Sequence, residues 1–108
     1  MREASQRRMM ADVPKADVVI TNPTHLACAI RYKPDEGDVA PVLIAKGEDY
    51  VAGKIKEKAR EANIPIVEDK PTARAIYATV EIGQSIPPEL YEPVAGILAV
   101  VYNNRGGL

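Results

Sequence analysis

Residues 16–32 read ADVVITNPTHLACAIRY: two apolar runs on either side of the four letters NPTH. The first run, 16–20, is short and β-branched, bounded by Pro14 on one side and Asn22-Pro23 on the other. A continuous apolar run of this length is the signature of a strand buried on both faces, so a central strand is predicted over 16–20. The run LACAIRY, 26–32, predicts a second strand. Between them lies a tight connection, because Asn and Pro are turn formers.

Outward from this pair, the loop 33–41 is punctuated by Pro34 and Gly37, and VLIAK (42–46) predicts a third strand ended by Gly47. The stretch 48–63 predicts a helix. Val51, Ile55, Ala59 and Ala62 recur on one side of it, Glu48 and Asp49 complement the dipole at its start, and Asn63 is its stop. Lys54, Lys56, Lys58 and Arg60 decorate its outer faces, either as a solvated surface or as a docking surface for an acidic partner. IPIVE (64–68) predicts a fourth strand. PTARAIYATV (71–80) predicts a short helix with Pro71 at its first position, where the missing N–H costs nothing.

The last helix is predicted over 87–104, with Leu90, Val94, Ile97 and Val101 on one face. Pro93 inside it predicts a kink or a fresh start. NNRGGL reads as a frayed end, and the polar, basic opening MREASQRRMM as the tail of a helix entering from elsewhere. The expected fold class is α/β: a single small domain with a central sheet of about four strands surrounded by helices. An N-terminal linker helix over 1–12 precedes the domain proper, 13–108.

The chain has 108 residues, 46% apolar and 27% charged, with a net charge of −1, so nothing in its charge points to wholesale nucleic-acid binding. Phe and Trp are absent, leaving a core of Val, Ile, Leu, Ala and Tyr. The one cysteine, Cys28, rules out an internal disulfide; it reads as a small core residue or, alternatively, as a reactive thiol. No apolar stretch approaches a membrane span and no secretory signal is visible. A Gly-rich phosphate loop, paired cysteines, HExxH and GxSxG are all missing, and one histidine builds no metal cluster unaided, so neither a metal nor a cofactor is expected.

Asn22-Pro23 carries chemistry of its own. An asparagine amide nitrogen can attack its own backbone carbonyl, close a succinimide and expel the next residue as an amine. The competing deamidation uses the next residue's backbone nitrogen as nucleophile, and proline closes that route because it has no N–H. Proline also biases Asn22 away from the α region. A turn anchored by two strands would hold amide against carbonyl, and orientation of this kind supplies about 7–11 kcal/mol of a barrier. The plain alternative is an α/β docking module whose Asn-Pro turn is never cut. His25, the one imidazole beside this bond, would either move the protons or brace the turn by a hydrogen bond. A multiple-turnover hydrolase built on His25 or Cys28 lacks a second catalytic group nearby in sequence.

VPKADVVITNPTH (13–25) resembles the self-cleavage segment of the FlhB/YscU family, the export-switch proteins of flagellar and virulence-type type III secretion systems. AKG (45–47), PTARAIY (71–77) and EIGQSIPPELYEPVAGILAVVY (81–102) match the family in order and spacing. The resemblance runs from Met9 to Tyr102, and its ending is more similar to the flagellar branch than to the injectisome branch. Pro93 departs from the small residue usual at that place.

The resemblance implies the cytoplasmic domain of an inner-membrane export-gate protein, lying at the cytoplasmic face of the bacterial inner membrane, with MREASQRRMM as the end of the linker from the last membrane helix. It implies single-turnover self-cleavage between Asn22 and Pro23, with both pieces staying together, and a part in switching export from rod-and-hook to filament substrates. The hook-length control protein, other gate components and export substrates are the implied partners, and nucleic acid is not. Asn22 is the implied nucleophile and Pro23 the leaving group, while Thr24 and His25 complete the motif and shape the turn.

Overall fold

The computed structural model describes residues 3–106. Met1 and Arg2 of the expected linker, and Gly107 and Leu108 of the expected frayed end, lie outside the described residues. In chain order the elements are α1 (Glu3–Asp12), β1 (Val18–Asn22), β2 (Leu26–Arg31), β3 (Val42–Glu48), α2 (Asp49–Glu61), β4 (Ile66–Glu68), α3 (Lys70–Thr79) and α4 (Tyr91–Gly106), with short 3-10 turns at Val13–Lys15, Pro34–Glu36 and Pro88–Leu90. The four strands form one sheet in the order β3-β2-β1-β4. β1 runs antiparallel to β2 and parallel to β4, and β2 runs antiparallel to β3. The α/β class and the four-stranded sheet between helices are as expected.

β1 is interior, and both its faces are covered. Val18 and Ile20 join Cys28, Ile30 and Leu43 beneath α3 and α4, where Ala73, Ile76 and Val94 meet them. Val19 points the other way, with Ala27 and Ala29, toward Met9 of α1 and Ala52, Ile55 and Ala59 of α2. Val18, Val19 and Ile20 are fully buried, which is why this strand reads as an unbroken apolar run rather than an alternating one. Asp17 ties down its entrance. Its backbone N–H donates to the Ile30 carbonyl at 2.8 Å, and its carboxylate accepts from the Tyr32 N–H and the Lys33 ammonium, each at 2.7 Å.

Several boundaries differ from expectation. β1 continues past Ile20 to Asn22, which pairs with Leu26, so the asparagine belongs to the sheet and not to the loop. β3 runs through Gly47 to Glu48. There glycine is no terminator: a Cβ on Gly47 would lie 2.8 Å from the Val51 Cβ, so its absence lets the first turn of α2 fold back onto the strand. β4 begins at Ile66 rather than Ile64, because Ile64 closes α2. Asn63 stands at φ 60, and the N–H groups of Asn63 and Ile64 bond to the carbonyls of Arg60 and Ala59, a Schellman stop.

α3 begins at Lys70, placing Pro71 second, and the Asp69 carboxylate caps it by accepting from the Thr72 N–H at 3.2 Å. The expected helix over 87–104 divides into the turn Pro88–Leu90 and α4 from Tyr91. Pro93 thus falls in the first turn of α4, where its nitrogen has no intrahelical bond to lose. α4 continues through Gly106, two residues past the expected end at 104.

Candidate functional site

The Asn22–Pro23 bond sits at the tip of the β1–β2 hairpin. The His25 backbone N–H donates to the Asn22 carbonyl at 2.9 Å, closing a turn over Pro23 and Thr24. Pro23 occupies the first central position, where its fixed φ favours turn formation. Asn22 is buried at 6% exposure, whereas Pro23, Thr24 and His25 are exposed. One residue back, the Thr21 carbonyl accepts from the Asp69 N–H at 2.9 Å, and Thr21 pairs with Glu68. The asparagine is therefore held by the sheet from behind, and the next three residues project from it. Its side-chain amide makes no hydrogen bond to any described residue.

Three contacts pin the projecting residues to the β3–α2 corner. The Asp49 N–H donates to the His25 carbonyl at 2.8 Å, and the Asp49 carboxylate lies 3.5 Å from His25 Nδ1. The Lys56 ammonium donates to the Pro23 carbonyl at 3.0 Å. Asp49 stands at φ 52, a left-handed conformation that Asp tolerates better than most residues but that still costs energy. Chain direction reverses there from β3 into α2, two residues after the glycine that admits Val51.

The arrangement suits an attack within Asn22. The carbonyl that would be attacked accepts a fixed backbone N–H. That donor would stabilise the negative charge that develops on the oxygen when the carbon becomes tetrahedral. The amide that would attack is not tied up by any described residue. The turn thus brings together all four residues singled out from the sequence. It adds Asp49 and Lys56, which sequence reading placed only at a helix start and on a basic face. Lys54 and Lys58 pair with Glu57 and Glu61 along α2, leaving Lys56 as the lysine of this row that reaches the turn.

Two other side chains settle into structural places. Cys28 is fully buried, with its Sγ 3.6 Å from the Ala73 carbonyl, and burial pushes its thiol up to about 12, which makes it a core residue. The Lys46 ammonium caps the end of α3, donating to the carbonyls of Tyr77 at 2.9 Å and Val80 at 2.7 Å. Tyr77 in turn donates its hydroxyl to Glu48 at 2.9 Å, which raises the phenol pKa. Among the described residues no group of three or more His, Cys, Asp or Glu is placed to hold a metal ion, and no helix is long and apolar enough to cross a membrane. An apolar groove away from the turn is lined by Tyr32, Val39, Pro41, Tyr91, Leu98 and Tyr102. Of its lining, Leu98, at 4% exposure, and Ala40, at 6%, belong to the core.

Residues 1–101 match the family model described as the FlhB HrpN YscU SpaS Family. The flagellar biosynthetic protein FlhB of Bacillus subtilis is 50% identical over 104 residues, covering 96% of this chain and 29% of the relative. The protein of the same name from Escherichia coli is 52% identical over 102 residues, covering 94% of this chain and 26% of the relative. The chain thus spans under a third of the length of these relatives. Among solved structures, the cytoplasmic domain of FlhB from Shewanella putrefaciens superposes with a TM-score of 0.88 at 52% identity, over 93% of this chain and 76% of that one. The EscU C-terminal domain bearing an asparagine-to-aspartate mutation superposes at 0.84 with 31% identity, over 92% and 90%.

Proposed function

The chain belongs to the FlhB, HrpN, YscU, SpaS family, and from that premise we propose that it is the export-switch domain of a flagellar export component that cuts its own backbone between Asn22 and Pro23. Asn22 Nδ2 attacks the Asn22 backbone carbon, the bond to the Pro23 nitrogen breaks, and the proton lost by the amide is taken up by the departing nitrogen. Water then opens the succinimide. The event happens once per chain and turns over no external substrate. The observation that carries this reading is the Asn22 carbonyl held at 2.9 Å by the His25 N–H beside a side-chain amide that bonds to none of the described residues.

Both pieces stay together, because β1 is interior to the sheet and cutting the turn removes none of its pairing. The domain lies at the cytoplasmic face of the inner membrane, with α1 leading from the membrane part. Its partners are the hook-length control protein, other gate components and export substrates. A partner distinguishes the cut from the uncut turn only by binding the two with different affinity. A difference of about 1.4 kcal/mol is tenfold, a small demand on a rearranged loop. Flagellar relatives at about half identity support the flagellar assignment, and with it the switch from rod-and-hook to filament substrates.

Intact mass of the purified, protease-free chain tests the reading. Two species are expected, Met1–Asn22 and Pro23–Leu108, and a single whole species from folded Asn22→Ala. A folded Asn22→Ala chain that still splits at this bond would remove side-chain cyclisation from the account.

A further inference from the structure

Lys56 presents a problem that cleavage itself poses. In the uncut chain its ammonium donates to the Pro23 carbonyl at 3.0 Å, one residue from the bond that breaks. Cleavage and the hydrolysis that follows change the charges at this spot. The C–N bond between Asn22 and Pro23 is lost and the Pro23 nitrogen becomes a protonated amine. Water adds to the succinimide, and ring opening leaves one carboxylate on Asn22. A neutral peptide thus becomes a cation on the Pro23 side and an anion on the Asn22 side.

Both changes act on Lys56 in the same direction. A carboxylate is a stronger acceptor for an ammonium than a peptide carbonyl is. A cation on the Pro23 nitrogen repels the ammonium that had been holding Pro23. The two new groups also differ in freedom. Asn22 remains fixed by its pairing with Leu26 and by the sheet behind it, whereas Pro23, Thr24 and His25 project from the surface. Apart from the peptide bond and the β2 strand that follows, what holds those three residues is the His25 N–H bond to Asn22, the Asp49 contacts and Lys56.

We propose that Lys56 is a positioning residue that exchanges partners on cleavage, from the Pro23 carbonyl to the new Asn22 carboxylate, and that this exchange releases the Pro23–His25 turn from α2. The charged groups around it enter as follows. In the uncut chain His25 Nδ1 lies 3.5 Å from the Asp49 carboxylate, a contact that goes with the turn when it is released. Glu57 is engaged with Lys54 on α2. Glu68 and Asp69 lie behind Thr21 at the end of β4. The cut therefore converts a lysine that closes the turn into one that opens it, with the core unmoved. The inference rests on the self-cleavage reading.

The Asp49 backbone amide reports the docked state, because its N–H is bound to the His25 carbonyl at 2.8 Å. Its hydrogen exchange is followed by NMR in the cut domain and in folded, uncut Asn22→Ala, each with Lys56 and with Lys56→Met. With Lys56 present, cutting is expected to speed exchange at Asp49 by tenfold or more, with the gain shrinking as salt screens the charges. With Lys56→Met the step on cutting should fall below threefold, and Lys56→Arg should restore it. An equal step with and without Lys56 overturns the exchange. Failure of folded Lys56→Met to cut at all also overturns it, since Lys56 would then belong to bond breaking and not to release. A wild-type chain that stays whole by mass overturns the cleavage reading and the exchange together, whereas a cut chain with an unaltered Asp49 amide overturns the exchange alone.

Discussion

Ile20→Ala distinguishes a cut domain from an uncut one by the form its damage takes. Ile20 is fully buried in the middle of β1, opposite Cys28 of β2 and Val67 of β4, and in the cluster that includes Ala73 and Ile76. Truncating a buried isoleucine to alanine costs about 2–5 kcal/mol. In the uncut chain this is a unimolecular loss, seen as a lower urea midpoint that does not depend on protein concentration. In the cut domain β1 is on one molecule and β2, β3 and β4 on another. The same loss then weakens an association, by about 30-fold to about 4,000-fold at about 1.4 kcal/mol per decade. Native mass spectrometry over a dilution series reads the two-fragment complex directly. Ile20→Ala should dissociate at concentrations where the cut wild type remains whole, while Asn22→Ala/Ile20→Ala stays one chain at every dilution. Equal dissociation of cut wild type and cut Ile20→Ala would refute the argument that β1 holds the pieces together.

Other expectations are more local. His25→Ala should slow cleavage by about a hundredfold, in the range that general acid–base groups supply, without abolishing it; a time course of intact mass decides, and complete loss in a folded variant would mean that orientation of Asn22 is the smaller effect. Gly47→Ala should cost about 1–3 kcal/mol by overpacking against Val51, read as a lower urea midpoint, and an unchanged midpoint would show that α2 shifts without cost. Cys28 should resist alkylation at pH 8 in the native state and react on unfolding, because burial holds the thiol protonated. Asp38, whose carboxylate pKa is lowered by the Arg31 guanidinium at 2.8 Å, stabilises the fold above the ordinary carboxylate pKa, and the stability is lost as pH falls through the lowered one. The gap in Tm between wild type and Asp38→Asn should therefore be present at pH 7 and close on acidification below about pH 4.

The parts of the fold that were legible in the sequence are those that one side-chain pattern decides. Val18, Val19 and Ile20 announce a doubly covered strand, and Val51, Ile55 and Ala59 announce the buried side of α2. Asn63 announces its end because few residues accept a positive φ. What could not be read depends on residues distant in sequence. Asn and Pro favour turns and so point to a loop at Asn22, yet pairing with Leu26 holds it in the strand, which the pattern of one strand does not reveal. Gly47 reads as a stop in the sequence, although its absent side chain serves Val51 on the next element. At the site, the NPTH letters are contiguous and so stood out. Asp49 and Lys56 reach the turn only because β3 lies beside β2 and α2 folds back over it. A lysine among lysines on a helix carries no mark of which one points at a carbonyl 33 residues away. The Asp49 φ of 52 would have been suggested only by its place directly after a strand-end Gly-Glu, a weak signal.

The interior position of β1 has a mechanical consequence. The strand is bonded along one edge to β2 and along the other to β4, and the chain enters it from α1. Once the bond after Asn22 is gone, tension applied through α1 no longer passes into β2 along the covalent backbone. It must cross sideways through the rungs of two ladders. A pull along the strand axis loads these rungs in shear, many at once, whereas a pull across a sheet edge opens them one after another. The cut domain would then yield abruptly beyond a threshold force and resist below it, with Ile20 and its neighbours setting the threshold. A flexible tether ending in an edge strand would instead peel away gradually.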